Sequence, residues 1–319
     1  MNTKKLLVIG ELNVDLILNN IKGFPKVGTE IIAETMNFTL GSSSAIMASN
    51  ISAMGINTSF CGIIGDDEFG KFVLEELQRK NVDTRFITKK SNLKTGITIV
   101  LNYDQDRANV TYCGAMNFLT INDIPWESIN TFNHFHLSSY FLQKGIKKDI
   151  TEIFRKAKAA GLTTSLDLQY DPDHEWKFDY KSCLPYVDIF FPNKVELLAL
   201  TKENNIDLAI EELRPYTNII ALKLGEKGSR LISGEDEIIL APFLNDIYKD
   251  SIGAGDSFNA GFIEKYLGGA PLKECLINAN LMGSISTTKA GGTKAFSSKE
   301  DIEKQKQQIL NQQFEQNEN

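Results

Sequence analysis

Nowhere in these 319 residues does an apolar run approach the ~20 residues that a membrane-spanning helix needs. The four cysteines (Cys61, Cys113, Cys183, Cys275) form no C-x-x-C pair and no metal-ligand spacing. In a chain of this size they read as reduced thiols, not as a disulfide framework. Among the three histidines, only His134 and His136 lie close together, and on a strand that spacing merely places both on one face. There is no basic excess either: 34 Lys and Arg stand against 41 Asp and Glu, a net charge of −7, which excludes the electrostatic footprint of a nucleic-acid binder. No G-x-x-x-x-G-K-[ST] loop is present. The opening MNTKKLLVIG holds only four apolar residues after its lysines, too few for a signal peptide, so a soluble, cytoplasmic protein is expected.

What is present is strand-and-helix alternation. Leu6 to Ile9 reads as a buried strand, and apolar runs at 58–64, 163–168, 187–191 and 218–224 follow. Between them lie helical patterns at 43–54, 68–80 and 149–160, the first and last closed by Gly55 and Gly161. That order predicts an α/β fold with a central, mostly parallel sheet and helices on both faces. Two segments differ. Residues 11–40 mix polar and apolar positions without helical period, and from Gly96 to Thr111 Ile97, Ile99 and Leu101 alternate before an Asp104-Gln105-Asp106 turn and a returning strand. Together, residues 11–40 and 93–116 are expected to form a small, partly exposed sheet on a single domain spanning 1–319. Ser229 to Ala241 reads as a hairpin about Gly234, and the Gln-rich end as a helix whose tail, 312–319, frays.

The most informative run is Asp250-Ser251-Ile252-Gly253-Ala254-Gly255-Asp256, followed by a helical pattern with Phe258, Phe262 and Tyr266. A small-residue turn opening a helix leaves backbone N–H groups free at the positive end of the dipole, a suitable cradle for a phosphoryl group. An acid in that first turn can take the proton of an attacking hydroxyl. Read on spacing alone, the same residues serve equally as a turn and a helix cap.

The run D-S-I-G-A-G-D-S-F resembles the C-terminal signature of the ribokinase-like (PfkB) carbohydrate kinases. Four other segments resemble that family in the same order: Gly10-Glu11-Leu12-Asn13-Val14-Asp15; Gly62 to Gly70; Phe191-Pro192-Asn193-Lys194-Val195-Glu196; and Lys223-Leu224-Gly225-Glu226-Lys227-Gly228. The likeness covers roughly residues 4 to 297. It implies a ribokinase-like three-layer sandwich with a small β-sheet lid, and an enzyme that moves the γ-phosphate of Mg·ATP to a hydroxyl of a small carbohydrate. Asp256 would be the base, with Gly253, Ala254 and Gly255 making the anion-holding turn. Asp15, Asn13, Gly41, Ser42 and Asp167 would hold the acceptor. Asn193, Lys223, Gly225, Gly228 and Asn280 would meet the nucleotide. Glu196 would hold Mg2+ through water, and Asp250, Ile252 and Ser297 would lie about a monovalent cation such as K+. Relatives of this kind pair through their lids, which implies a homodimer.

One motif departs from the family. Its G-G-x-x-x-N reads here Gly41-Ser42-Ser43-Ser44-Ala45-Ile46, and isoleucine cannot hydrogen-bond a hydroxyl. The catalytic half therefore looks kept and the acceptor half altered. Two alternatives stay open: a nucleoside kinase of the same fold, and a catalytically weak regulator that binds sugar or nucleotide.

Overall fold

Strand alternation builds the core. In the first strand Leu7 and Ile9 pack into one cluster and Leu6 and Val8 into another, the two-sided burial of a sheet covered on both faces. The structure, a computed structural model, describes residues 4–103, 107–243 and 245–318, with side chains to Gln313. The Asp104–Asp106 turn lies outside the described residues.

Thirteen strands are described: β1 (Lys5–Ile9), β2 (Asn13–Asn19), β3 (Thr35–Leu40), β4 (Asn57–Gly65), β5 (Asp83–Lys90), β6 (Gly96–Asn102), β7 (Arg107–Tyr112), β8 (His134–Ser138), β9 (Thr163–Asp167), β10 (Ile189–Phe190), β11 (Ile219–Lys223), β12 (Ser229–Ser233) and β13 (Asp236–Leu240). The helices are α1 (Ser43–Ala53), α2 (Glu68–Arg79), α3 (Ile150–Ala159), α4 (Tyr180–Cys183), α5 (Lys194–Thr201), α6 (Ile206–Leu213), α7 (Ala254–Leu267), α8 (Leu272–Ser286) and α9 (Lys299–Glu318).

The large sheet has the order β13-β12-β11-β10-β9-β8-β1-β4-β5. Its pairs are parallel from β5 to β11, and β12 and β13 close that end as an antiparallel hairpin. One face carries α1, α2, α7 and α8, through residues such as Met47, Leu77, Phe262 and Leu276. The other carries α3, α4, α5 and α6, through Phe154, Cys183, Leu197 and Ile210. Fold class and layering therefore match the expectation from alternation.

The second sheet, β3-β2-β6-β7, has four strands. Within it β6 lies between β2 and β7, leaving β3 and β7 as the edges. The C-terminal segment is the helix that the sequence suggests, α9, described to Glu318. Ile302 and Ile309, two turns apart on α9, anchor it against Leu281, Met282, Ile285 and Phe296.

His134 and His136 do share one face of β8. Hydroxyls of Thr163, Ser165 and Ser138 meet their ring nitrogens at 2.7 Å each, and burial holds both rings neutral, His136 down to about 3. Cys61, Cys183 and Cys275 are buried and Cys113 is half-buried, all as free thiols.

Candidate active site

Parallel strands aim their carboxyl ends at one edge of a sheet, and ligands of open α/β folds gather there. Here that edge carries Glu11 after β1, Asp167 at the end of β9, Asn193 after β10 and Lys223 at the end of β11. The small sheet stands over it. Between them lies a cavity of about 450 Å3, lined among others by Asn13, Asp15, Arg107, Glu196, Lys223 and Asp256.

The turn before α7 forms the cavity's centre. Gly253, the residue capping α7, has φ 74°, and a Cβ there would sit 2.6 Å from Gly292 Cα. Only glycine fits both demands. The carbonyl of Ser251 accepts from the Ala254 N–H at 3.2 Å, closing the turn. This corrects the sequence reading: the Ala254 donor is committed within the turn, while the N–H groups of Gly255 and Asp256 have no partner among the described residues. Those two remain for an anion, at the positive end of a fourteen-residue helix. Lys223 runs alongside, its Nζ 3.7 Å from where a Gly255 Cβ would be.

Asp256 is 6% exposed. Burial, with the charges of Asp167 and Glu11 added, pushes its carboxyl well above the usual range despite the pull of Lys223. Gln169 bridges the acids, donating from Nε2 to Asp167 at 3.0 Å and to Asp256 at 3.2 Å. Asp167 is fully buried and accepts from Lys223 Nζ at 2.7 Å and Asn259 Nδ2 at 2.6 Å. For Lys223, burial opposes the charged form, but the carboxylates of Asp167, Glu196 and Asp256 outweigh it and raise its proton affinity. A cation held by acids at the floor of a cleft is suited to a transferring phosphoryl group.

On the small-sheet wall, Asn13 donates to Thr98 Oγ1 at 2.8 Å and to Asp15 at 3.2 Å. Its Oδ1 is buried without a partner, an acceptor waiting for a hydroxyl. Burial pushes Asp15 up to about 6, against the Asn13 hydrogen bond and the charge of Arg107. Gly41 lies beside both: a Cβ there would meet Asp15 Oδ1 at 2.2 Å. Ser42 caps α1, at φ 70°; its Oγ accepts from the Ala45 N–H at 3.1 Å and donates to the Glu11 carbonyl.

Asn193 and Glu196 line the cavity but are also bonded to each other as a helix capping box. Glu196 accepts from the Asn193 N–H at 2.9 Å and from its Nδ2 at 2.6 Å. Burial, then the charge of Asp167, pushes it up to about 7.

Not every expected residue converges. Gly225 reaches the cavity, but Gly228 does not line it and instead lets β13 pass, since a Cβ there would lie 2.0 Å from the Leu240 carbonyl oxygen. Asn280 also lies off the cavity wall, donating to the Ala241 carbonyl at 3.2 Å. Asp250 accepts from the Ile252 and Gly291 N–H groups at 3.0 Å each, which shapes the turn. The Ile252 carbonyl accepts from Ser286 Oγ at 3.3 Å, and its side chain packs with Ile17 and Val100 of the small sheet. Ser297 stands apart, exposed and bonded to Asp301. Among the described residues, no cluster of three or more His, Cys, Asp or Glu side chains could hold a metal ion by itself.

Besides Gln169, three contributors carry no role in the sequence reading. Asn259 lies one turn beyond Asp256, a spacing that could have revealed it. Arg107 reaches in from β7, its Nη1 3.4 Å from Ser251 Oγ. Glu11, 3% exposed, accepts from the Ser44 hydroxyl at 2.5 Å.

Burial pushes Glu11 up to about 7, against 4.5 for the free side chain. The folded state thus holds a proton that the unfolded chain releases, so Glu11 favours folding below pH 4.5 and loses that contribution as pH rises to 7. His134 and His136, buried neutral, oppose it on the acid side, so the diagnostic quantity is the difference from a neutral variant. Glu11→Gln should match wild type near pH 4 and exceed it at pH 8 by on the order of 3 kcal/mol in urea unfolding. A pH-independent difference would show Glu11 ionised throughout.

Residues 3–299 match the family described as pfkB family carbohydrate kinase. An uncharacterized sugar kinase of Archaeoglobus fulgidus is 26% identical over 77% of this chain and 97% of its own length. A 2-dehydro-3-deoxygluconokinase of Bacillus subtilis is 25% identical over 84% of this chain and 86% of its own. An Escherichia coli protein solved with ATP and Mg2+ superposes with a TM-score of 0.84 at 22% identity, covering 96% of this chain and 99% of that one, which shows a common fold. With its motifs in order, its sheet topology and a family match across nearly its whole length, the chain belongs to the pfkB family of carbohydrate kinases.

Proposed function

We propose that this kinase transfers the γ-phosphate of Mg·ATP to a hydroxyl of a small carbohydrate, with Asp256 as general base. The observation that carries the reading is the joining of a buried acid and two unpartnered N–H groups in a single turn of α7, with Lys223 alongside. The acceptor lies against Asn13 and Asp15, and one of its hydroxyls gives its proton to Asp256. That oxygen bonds to the γ-phosphorus as the bond to the β–γ bridging oxygen breaks, and ADP leaves. The N–H groups of Gly255 and Asp256, with the Lys223 ammonium, hold the charge of the transferring group. The lone pairs that Glu196 keeps beyond its capping box suit the water shell of Mg2+, which prefers oxygen donors and retains waters. A K+ requirement would rest on backbone carbonyls about Asp250 and Ile252, because the Ser297 hydroxyl is bonded elsewhere.

Residues 11–40 and 93–116 act in this reading as a lid on the single domain, closing over the acceptor and excluding water. The test is ADP release from Mg·ATP across pentoses, hexoses, sugar acids, sugar phosphates and nucleosides. Stimulation by a carbohydrate supports the reading. Stimulation by nucleosides alone would replace it with a nucleoside kinase, and ATP binding without any stimulation would favour a regulator.

The lid's outer side leaves Met36, Val110 and Tyr112 more than half exposed, on its edge strands β3 and β7. Unpaired edges flanked by apolar side chains invite a second copy. A homodimer is the expected outcome, with a mass by light scattering twice that of the chain. Val110→Lys should return it to one chain.

A further inference from the structure

Ile46 is the one side chain that the catalytic reading leaves unexplained at the acceptor end. It lines the cavity on α1, 3% exposed, within the same enclosure as Asp15 and Asp256. Its Cδ1, Cγ2 and Cγ1 lie 2.7, 2.9 and 3.0 Å from where a Gly292 Cβ would be, and Cγ2 lies 3.0 Å from a Gly253 Cβ. The branched side chain is therefore wedged between two glycines and has no room to swing aside. One turn further along α1, Asn50 offers no substitute donor, because its Nδ2 is committed to Ser257 Oγ and the Gly292 carbonyl at 2.9 Å each.

The opposite wall has the contrary character. Asn13 with its orphaned Oδ1, Asp15, Thr98, Asn109 and Thr111 present polar groups from β2, β6 and β7. The acceptor site is thus two-sided: hydrogen-bonding towards the small sheet and, beyond Ser43 on α1, apolar at Ile46.

We propose that Ile46 is a specificity-determining residue and that the acceptor is a deoxy carbohydrate, presenting a C–H carbon to Ile46 where the fully hydroxylated sugar has an OH. A hydroxyl pressed on Ile46 gives up its water and gains no partner. A pocket of this kind discriminates modestly, by ~10–100-fold in kcat/KM, since added hydroxyls are rejected less strongly than missing ones. The inference rests on the kinase reading above and narrows its substrate class.

The experiment compares matched pairs by ADP release: D-ribose with 2-deoxy-D-ribose, D-glucose with its 2-deoxy and 3-deoxy forms, and 2-dehydro-D-gluconate with 2-dehydro-3-deoxy-D-gluconate. Wild type should favour one deoxy member by ~10–100-fold in kcat/KM. Ile46→Asn should shrink or reverse that ratio. Ile46→Val and Ile46→Thr, near-identical in shape, guard against a folding defect: valine should keep the preference and threonine weaken it. Turnover with the hydroxylated member preferred, or a ratio that neither polar variant moves, overturns the inference while leaving the kinase standing. No turnover with any pair overturns the inference alone if another carbohydrate of the wider panel stimulates ADP release, and takes down both if none does.

Discussion

Asp256→Asn should lower kcat by ~10²–10⁴-fold while leaving the KM for Mg·ATP within a few-fold of wild type. The substitution is nearly isosteric, and its amide oxygen can still accept from Gln169, whose Nε2 lies 3.2 Å from Asp256 Oδ1. The backbone of the α7 turn is untouched, so the N–H groups of Gly255 and Asp256 still meet phosphate. What disappears is the acceptor for the hydroxyl proton. A carboxylate whose proton affinity is raised by burial, Asp167 and Glu11 is a stronger base than an ordinary aspartate. The wild-type kcat/KM profile should therefore carry an acid limb above the usual carboxylate range, which Asp256→Asn removes. Stopped-assay ADP release across pH 5 to 9 reads both effects. A fall smaller than tenfold would take the base role away from Asp256.

The parts of this site legible in the sequence are those set by local backbone demands. The Gly253 turn shows as small residues because its φ of 74° and its contact with Gly292 exclude side chains. The parallel sheet shows as apolar runs spaced by helical periods, with Asn13 and Asp15 at the start of β2, just after the first strand, and Lys223 at the end of β11. What stayed hidden depends on partners far along the chain. Ser297 has the right chemistry for a cation loop, yet Asp301, one turn on, captures its hydroxyl. Asn280 is drawn to the Ala241 carbonyl, 39 positions earlier. Glu11 reads as an ordinary motif acid, and only the packing of Ser44 against it, 33 positions on, makes it a buried carboxyl. Arg107 enters through the register of β6 with β7, and its sequence surroundings say nothing about the cleft. In each case residue type and period are visible, but not the distant group that decides the role.

Lys223→Met is expected to carry the largest stability cost of any single change at the site, about 3–5 kcal/mol. Lys223 and Asp167 form a buried pair at 2.7 Å, with the Asp167 side chain fully enclosed and that of Lys223 only 12% exposed. Methionine keeps the length and apolar stem of lysine, so the cavity change is small. The charge of Asp167 would then rest on neutral partners, Asn259 and Gln169, while Glu196 and Asp256 stand nearby. An uncompensated buried charge costs far more than the pair itself contributes. Asp167→Asn alone should cost less, because Lys223 keeps Glu196 and Asp256 as counter-charges. Combining the two substitutions should recover much of the loss, giving a coupling of opposite sign to the single-variant costs. Urea midpoints of the four proteins measure the cycle. Turnover separates the two duties of the lysine: Asp167→Asn/Lys223→Met can regain stability yet stay slow, since no cation then lies beside Gly255 to meet the transferring phosphoryl group. A double variant as active as wild type would show that Lys223 serves the fold alone.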